Sequence, residues 1–372
     1  MKLLGIETLF RDENYVAFPN LATLKDGTVI CAFRHAKERQ KEYGRVTHVD
    51  PTAKDVFIIS NDGGKSFDKT LHEIINDGMS EQDPCLNVLS DGRIIVTYFR
   101  WELVSIGKGK ARWGAAFEKF GRQLAGKYDC FEYGAACSIS DDNGKTWQHM
   151  TPIIMDGWQG KGAVRGNITE LPDGTLLLPL YGAKSITELS RAVLMRSTDR
   201  GETWEEYSLM AFDEECKKNF LEPNMYRTES GRLIGLYRTQ TDYLAPGVDF
   251  EETYLNLHIS ISEDDGKTFG EVIEIPNCWC SSPVHALRLK SGKVLLTYGY
   301  RREPFGIRAR LCNAELTDIA EAEEIIITEG AINGDLGYPC SLQLADGEIL
   351  VSYYISADDG IRTIDVARLR ED

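Results

Sequence analysis

Six positions in the 372-residue chain stand eight residues before a two-residue turn: Phe18, Asp83, Arg165, Glu222, Pro283 and Tyr338. The turns are Asp26-Gly27, Asp91-Gly92, Asp173-Gly174, Ser230-Gly231, Ser291-Gly292 and Asp346-Gly347. Each joins two apolar, alternating runs, the pattern of a β-hairpin. Strand-entry positions chosen for packing are small or apolar. An Asp, an Arg, a Glu and a Tyr at equivalent places therefore mark a chemical site. About eight residues after the turns come Arg34, Arg100, Tyr181, Arg238 and Tyr354, with Tyr300, Arg301 and Arg302 beside them. Several arginines on one rim of an acidic protein form an anion clamp.

The hairpins repeat at about one propeller blade apart along the whole chain. A second repeat interleaves with them: Ser60 to Phe67, Ser140 to Trp147, Ser197 to Trp204 and Ser262 to Phe269, of the form Ser-x-Asp-x-Gly-x-Ser/Thr-aromatic. Its Asp can accept backbone N–H bonds, its Gly takes a conformation closed to other residues, and its aromatic ring plugs between blades. A copy expected near residues 311–318 has decayed. These repeats predict an all-β, six-bladed β-propeller of four-stranded antiparallel blades, a single domain over residues 1–372. Residues 1–16 should supply the outermost strand of the last blade, beside a third strand at residues 363–369, which leaves no open sheet edge. Positions eight before and eight after each turn then share one rim, together with the loops at residues 35–55, 101–132, 182–191, 239–254, 301–305 and 355–361. That rim should carry the function.

Composition narrows the classes. The formal net charge of −16 argues against nucleic acid, and an anion site must be a local arginine cluster working against the global field. Nine cysteines scattered over strands suit reduced, buried thiols. Cys278-Trp279-Cys280 has no second pair, so no metal and no cofactor are expected. No apolar run reaches membrane-spanning length and the first ten residues lack a secretory core, so a cytoplasmic location is expected and a membrane is not. Trp101, Trp113 and Trp158 lie on or near rim loops and could stack on a ligand, whereas Trp147 and Trp204 belong to the boxes and should be structural. His285, beside Pro283, could contact a substrate.

The boxes resemble the Asp-boxes of sialidases and related bacterial-neuraminidase-repeat proteins, and the ring resembles the sialidase active site, over essentially the whole chain. The resemblance implies that Glu222, in Leu221-Glu222-Pro223-Asn224, polarises Tyr338, in Gly337-Tyr338-Pro339. It places Arg238 as the second arginine of a carboxylate-binding triad. The third falls within residues 301–308, at Arg302, with Arg301 adjacent. Asp83-Pro84 resembles the Asp-Pro that opens the family's second blade. The catalytic acid is expected on the first rim loop, at Asp50, with Asp55 second. The segment Val16-Ala17-Phe18-Pro19 departs from the family's Arg-Ile-Pro motif, because Ala17 stands where the first triad arginine belongs. Arg34 or Arg165 could compensate.

A glycoside reacting through an oxocarbenium-like transition state needs a nucleophile on one face and a proton donor on the other. A tyrosine with a carboxylate base is neutral until it reacts, which suits an anomeric carbon bearing a carboxylate. Tyr338 and Glu222 would form this pair, with Asp50 or Asp83 as the acid. The substrate-binding set would be Arg34, Arg100, Arg165, Arg238, Arg301, Arg302 and His285. The expected function is retaining exo-hydrolysis of a terminal acidic sugar, so the expected partner is a carbohydrate. The alternatives are a glycosidase or polysaccharide lyase acting on another sugar, such as a uronic acid, and a non-catalytic sugar-binding propeller.

Overall fold

The hairpins build six sheets in the computed structural model, which describes residues 1–44, 48–74, 77–148, 150–245, 247–249 and 251–371. Blade 1 pairs Tyr15–Thr23, Val29–Ala36, Lys54–Ser60 and Asp68–Glu73 in order. Blade 2 holds Ser80–Val88, Ile94–Ser105, Tyr128–Ser140 and Thr151–Pro152. Blade 3 holds Gly160–Val164, Leu176–Ala183, Arg191–Ser197 and Glu205–Ala211, with Thr169–Glu170 continuing its inner edge. Blade 4 runs Asn219–Arg227, Leu233–Gln240, Asn256–Ser262 and Ile273–Trp279. Blade 5 runs His285–Arg288, Val294–Tyr300, Gly306–Cys312 and Glu324–Glu329. Blade 6 pairs Gly337–Gln343, Ile349–Ser356 and Arg362–Arg370, and its outer strand is Lys2–Phe10 from the other end of the chain. This is the six-bladed, all-β architecture expected, with the N-terminal strand completing the last blade.

Alternation along each strand sends one set of side chains toward the preceding blade and the other toward the next. The apolar core is accordingly divided among the seams. One cluster joins Ile30, Ala32 and Phe57 of blade 1 to Leu86, Ile94 and Val96 of blade 2. Another joins Leu177 and Leu194 of blade 3 to Phe220 and Tyr237 of blade 4. A third joins Leu350 and Tyr354 of blade 6 to Val29 and Val56 of blade 1, closing the ring.

The boxes pin the opposite rim. The Asp142 carboxylate accepts the Thr146 N–H at 2.9 Å, the Thr146 hydroxyl at 2.6 Å and the Ser140 hydroxyl at 2.8 Å. Asp62, Asp199 and Asp264 repeat the arrangement. Trp147 packs into the seam between blades 1 and 2, and Trp204 into that between blades 2 and 3. Gly201 shows why the box needs glycine: its φ is +89°, and a Cβ there would stand 2.5 Å from Ile95 of the preceding blade. In the decayed copy Leu316 has a φ of 52°, and Asn313 accepts the N–H groups of Glu315 and Thr317.

Hydrogen bonds from Thr146 hold the Asp142 carboxyl down to about 2. A depressed folded value contributes stability above the unfolded value, about 4, and loses it as pH falls through the folded one. Asp142→Asn should therefore lower the thermal midpoint at pH 7 and shrink that penalty between about pH 4 and 2, as measured by thermal unfolding across this range.

Candidate active site

The ring positions share a backbone device. Phe18, Asp83, Glu222 and Tyr338 each precede a proline, and each has positive φ, at 61°, 60°, 45° and 52°. Each also falls where the pairing of the inner strand slips: Ala17/Asn20, Gln82/Cys85, Leu221/Asn224 and Gly337/Cys340. The slip bulges the strand and turns the side chain toward the axis. A non-glycine residue held there costs about 1–3 kcal/mol, strain that persists only where the surroundings impose it and that clusters at functional sites. Arg165 takes the equivalent place in blade 3 with Gly166 in the proline position. A Cβ on Gly166 would lie 2.4 Å from the Pro223 carbonyl oxygen.

At the centre the Tyr338 hydroxyl donates to Glu222 Oε1. Glu222 Oε2 accepts from Arg238 Nη1 at 2.7 Å, and the same nitrogen lies 3.4 Å from the Tyr338 oxygen. Arg238 Nη2 donates to Gln240 at 2.8 Å and to the Tyr254 hydroxyl at 3.2 Å. Arg301 donates to Tyr254 at 3.1 Å, to Tyr354 at 3.2 Å and to the Leu336 carbonyl at 3.0 Å. Arg165 donates to the carbonyls of Pro19 and Tyr338 at 2.9 and 3.0 Å, with its guanidinium 5.2 Å from the Tyr338 ring centre. Burial, reinforced by the Glu222 charge, raises the Tyr338 phenol well above its ordinary value, so it rests neutral.

On the blade 1–2 side, Arg34 pairs across the strands with Asp55, and both are wholly buried. Among the described residues, all three Arg34 nitrogens, both oxygens of Asp55, both of Asp83 and Oε1 of Glu81 find no hydrogen-bond partner. Burial lifts Asp83 well above the usual carboxylate range against the opposing pull of Arg165. Burial pushes Asp55 up to about 8 and Glu81 to about 9. Folded values above the unfolded ones mean that this corner loses stability as pH rises from about 4 through that range. A carboxyl protonated at neutral pH beside a nucleophile is a ready proton donor.

The structure thus brings Tyr338, Glu222, Arg238, Arg301, Arg165, Asp83 and Arg34 to one mouth. It places other expected residues elsewhere. Asp50 folds into its own loop: Oδ1 accepts the Thr52 N–H at 2.8 Å and hydroxyl at 2.5 Å, while Oδ2 faces Arg39 at 3.0 Å and Tyr43 at 3.2 Å. Arg302 points outward and lies on the Trp279 ring at 4.0 Å, so strand alternation gives the inward place to Arg301. Arg100 is engaged with Asp77 at 2.5 Å and stacked on Tyr133. His285 lines a small pocket with Arg165, Asn20, Asn167 and Asn224, and its Nδ1 accepts the Ser341 N–H at 3.2 Å. Burial lowers its pKa to about 4.

The three rim tryptophans are engaged too: Trp101 donates to Gln82, Trp113 to Glu102 and Trp158 to Glu206. Sequence reasoning missed Tyr254, which bridges Arg238 and Arg301. It also missed Glu132, which burial lifts to about 8 and which faces Tyr181. It missed Asp335, which accepts from Arg362 Nε at 2.8 Å, the Tyr15 hydroxyl at 3.0 Å and the Tyr354 hydroxyl at 3.2 Å. Asp335 lies three residues before Tyr338, the only signal that pointed to it.

The sequence matches the BNR repeat-like domain family over residues 115–351, and the chain belongs to that family. No curated protein matches it. Among solved structures it is similar to a Dyadobacter fermentans protein of unknown function, at 30% identity over 100% of this chain and 99% of that one, with a TM-score of 0.84. It is similar in fold to a leech intramolecular trans-sialidase, at 15% identity over 98% and 70% of the two chains, with a TM-score of 0.67. It is likewise similar to the GH93 α-L-arabinofuranosidase of Fusarium graminearum in complex with arabinobiose, at 12% identity over 99% and 98%, with a TM-score of 0.68.

Proposed function

We propose that the chain is a retaining glycoside hydrolase that releases a terminal sugar, with Tyr338 as nucleophile, Glu222 as its base and Asp83 as proton donor. The observation that carries this reading is the buried Tyr338–Glu222 hydrogen bond with Arg238 fixing the second carboxylate oxygen. In the first step the phenol oxygen bonds to the anomeric carbon while Glu222 takes its proton. The leaving oxygen departs with the proton of Asp83. In the second step water attacks the same carbon and gives a proton to Asp83, and Tyr338 leaves as it recovers its proton from Glu222. Two inversions give net retention.

A sugar with a carboxylate on its anomeric carbon would repel an anionic nucleophile, and a neutral phenol avoids that cost. Arg301 keeps a hydrogen on each Nη beyond its bonds to the two tyrosines, so it remains available to such a carboxylate. A second reading, a sugar without that carboxylate, is favoured by Ala17 and by Arg238, whose Nη groups are occupied by Glu222, Tyr338, Gln240 and Tyr254. The fold likeness to an arabinofuranosidase holding a neutral disaccharide supports it as well.

The test is hydrolysis of 4-methylumbelliferyl sialoside, galacturonide and α-L-arabinofuranoside, with the product's anomeric configuration followed by NMR. Turnover of one of them with retention is the expected result. Inversion would remove the two-step mechanism.

A further inference from the structure

We propose that His48, oriented by Asp335, is a substrate-contacting residue whose Nδ1 accepts a hydroxyl of the sugar held over Tyr338. The inference rests on the glycosidase reading and adds a specificity-determining group to it.

His48 lies on the loop between the second and third strands of blade 1 and reaches across to blade 6. Its ring meets Phe18 edge-on at 4.9 Å, and Phe18 lies 4.6 Å from Tyr338, so one ring separates the imidazole from the nucleophile. Its side chain is 28% exposed. Nε2 stands 3.4 Å from Asp335 Oδ1.

Burial pushes the Asp335 carboxyl up, but its bonds from His48 and Arg362 outweigh this and hold it below the usual range. An ionised carboxylate only accepts, so the nitrogen facing it carries the hydrogen and Nδ1 keeps its lone pair. The groups that face the imidazole are Asp335, Arg301, Arg34 and the Tyr15 ring, which lies 6.0 Å away. Burial lowers the His48 pKa, and the two arginines lower it further, against Asp335. At neutral pH the ring is therefore an uncharged acceptor at the mouth. Among the described residues nothing bonds Nδ1. Protonation would turn that acceptor into a donor.

Two measurements test this. Long-range proton–nitrogen NMR on the free protein should find His48 neutral at pH 7 with the hydrogen on Nε2; a hydrogen on Nδ1 overturns the inference. Kinetics follow on whichever 4-methylumbelliferyl glycoside of the three is hydrolysed. His48→Ala should raise KM roughly tenfold with kcat within about threefold, since one hydrogen bond to the substrate is lost. His48→Asn, which keeps an acceptor, should recover part of that loss. Wild-type KM should rise as pH falls through the lowered His48 pKa, and both variants should lack the rise. Hydrolysis with KM unchanged in His48→Ala overturns the inference alone. Hydrolysis of none of the three glycosides by the wild type removes the glycosidase reading and the inference with it.

Discussion

Tyr338→Phe should reduce glycoside turnover by roughly 10^3-fold or more, because it removes the atom that forms the covalent bond and leaves the rest of the ring in place. Glu222→Gln should cost as much in kcat, for a different reason. The amide can still accept the Tyr338 hydroxyl, but it cannot take the proton. The two variants should separate in stability. Losing the phenol leaves Glu222 Oε1 without its donor, a penalty of about 1–3 kcal/mol. Losing the carboxylate leaves the Arg238 guanidinium, 6% exposed, without its counter-charge, and breaking a buried pair costs about 3–5 kcal/mol. Thermal unfolding should therefore rank wild type above Tyr338→Phe and Tyr338→Phe above Glu222→Gln. Equal kcat in wild type and Tyr338→Phe would sink the nucleophile assignment.

The second large effect belongs to Asp83. Its carboxyl is wholly buried, and among the described residues neither oxygen has a hydrogen-bond partner. Burial favours the neutral acid, with Arg165 opposing it. An acid whose protonated form is the active one loses activity as pH rises through its raised value. The alkaline limb of kcat/KM should thus report Asp83, and Asp83→Asn should flatten it. For a glycoside with a poor, alkyl leaving group the variant should lose about 10^2- to 10^4-fold, the usual contribution of general acid catalysis. For methylumbelliferyl, which leaves without a proton, the loss should be small. Equal losses on both substrates would move the donor elsewhere, with Asp55, also buried and with its carboxyl raised by burial, next in line.

Much of the fold was legible because repetition amplifies a weak local signal. One Asp-Gly turn is an ordinary hairpin; six at regular spacing leave few architectures. The eight-residue offset located Asp83, Glu222 and Tyr338 because the bulge falls at the same place in each inner strand. The four X-Pro pairs were the visible trace of that bulge, but a proline restricts its predecessor to extended backbone in most settings. The positive φ values appear only in the folded ring. Loops were less legible. Asp50 and Asp55 differ by five residues, and the contacts of Thr52, Tyr43 and Arg39 decide that Asp50 closes its loop. Arg301 and Arg302 differ by one, and the end of the Val294–Tyr300 strand sets which faces in. Tyr254 and Asp335 also act through partners on neighbouring blades, Arg301 at 47 positions and Tyr15 at 320, and no local pattern announces them.

The proposed mechanism requires the Tyr338 oxygen to bond to the sugar. A glycoside fluorinated on the carbon next to the anomeric centre, with a good leaving group and in the sugar class the enzyme hydrolyses, slows breakdown of the intermediate enough to map it by peptide mass spectrometry. One sugar per chain is expected, carried on the peptide that contains Tyr338 and absent from Tyr338→Phe. A label on Glu222 or Asp83 would contradict it, by making a carboxylate the nucleophile and Tyr338 a supporting hydrogen-bond donor.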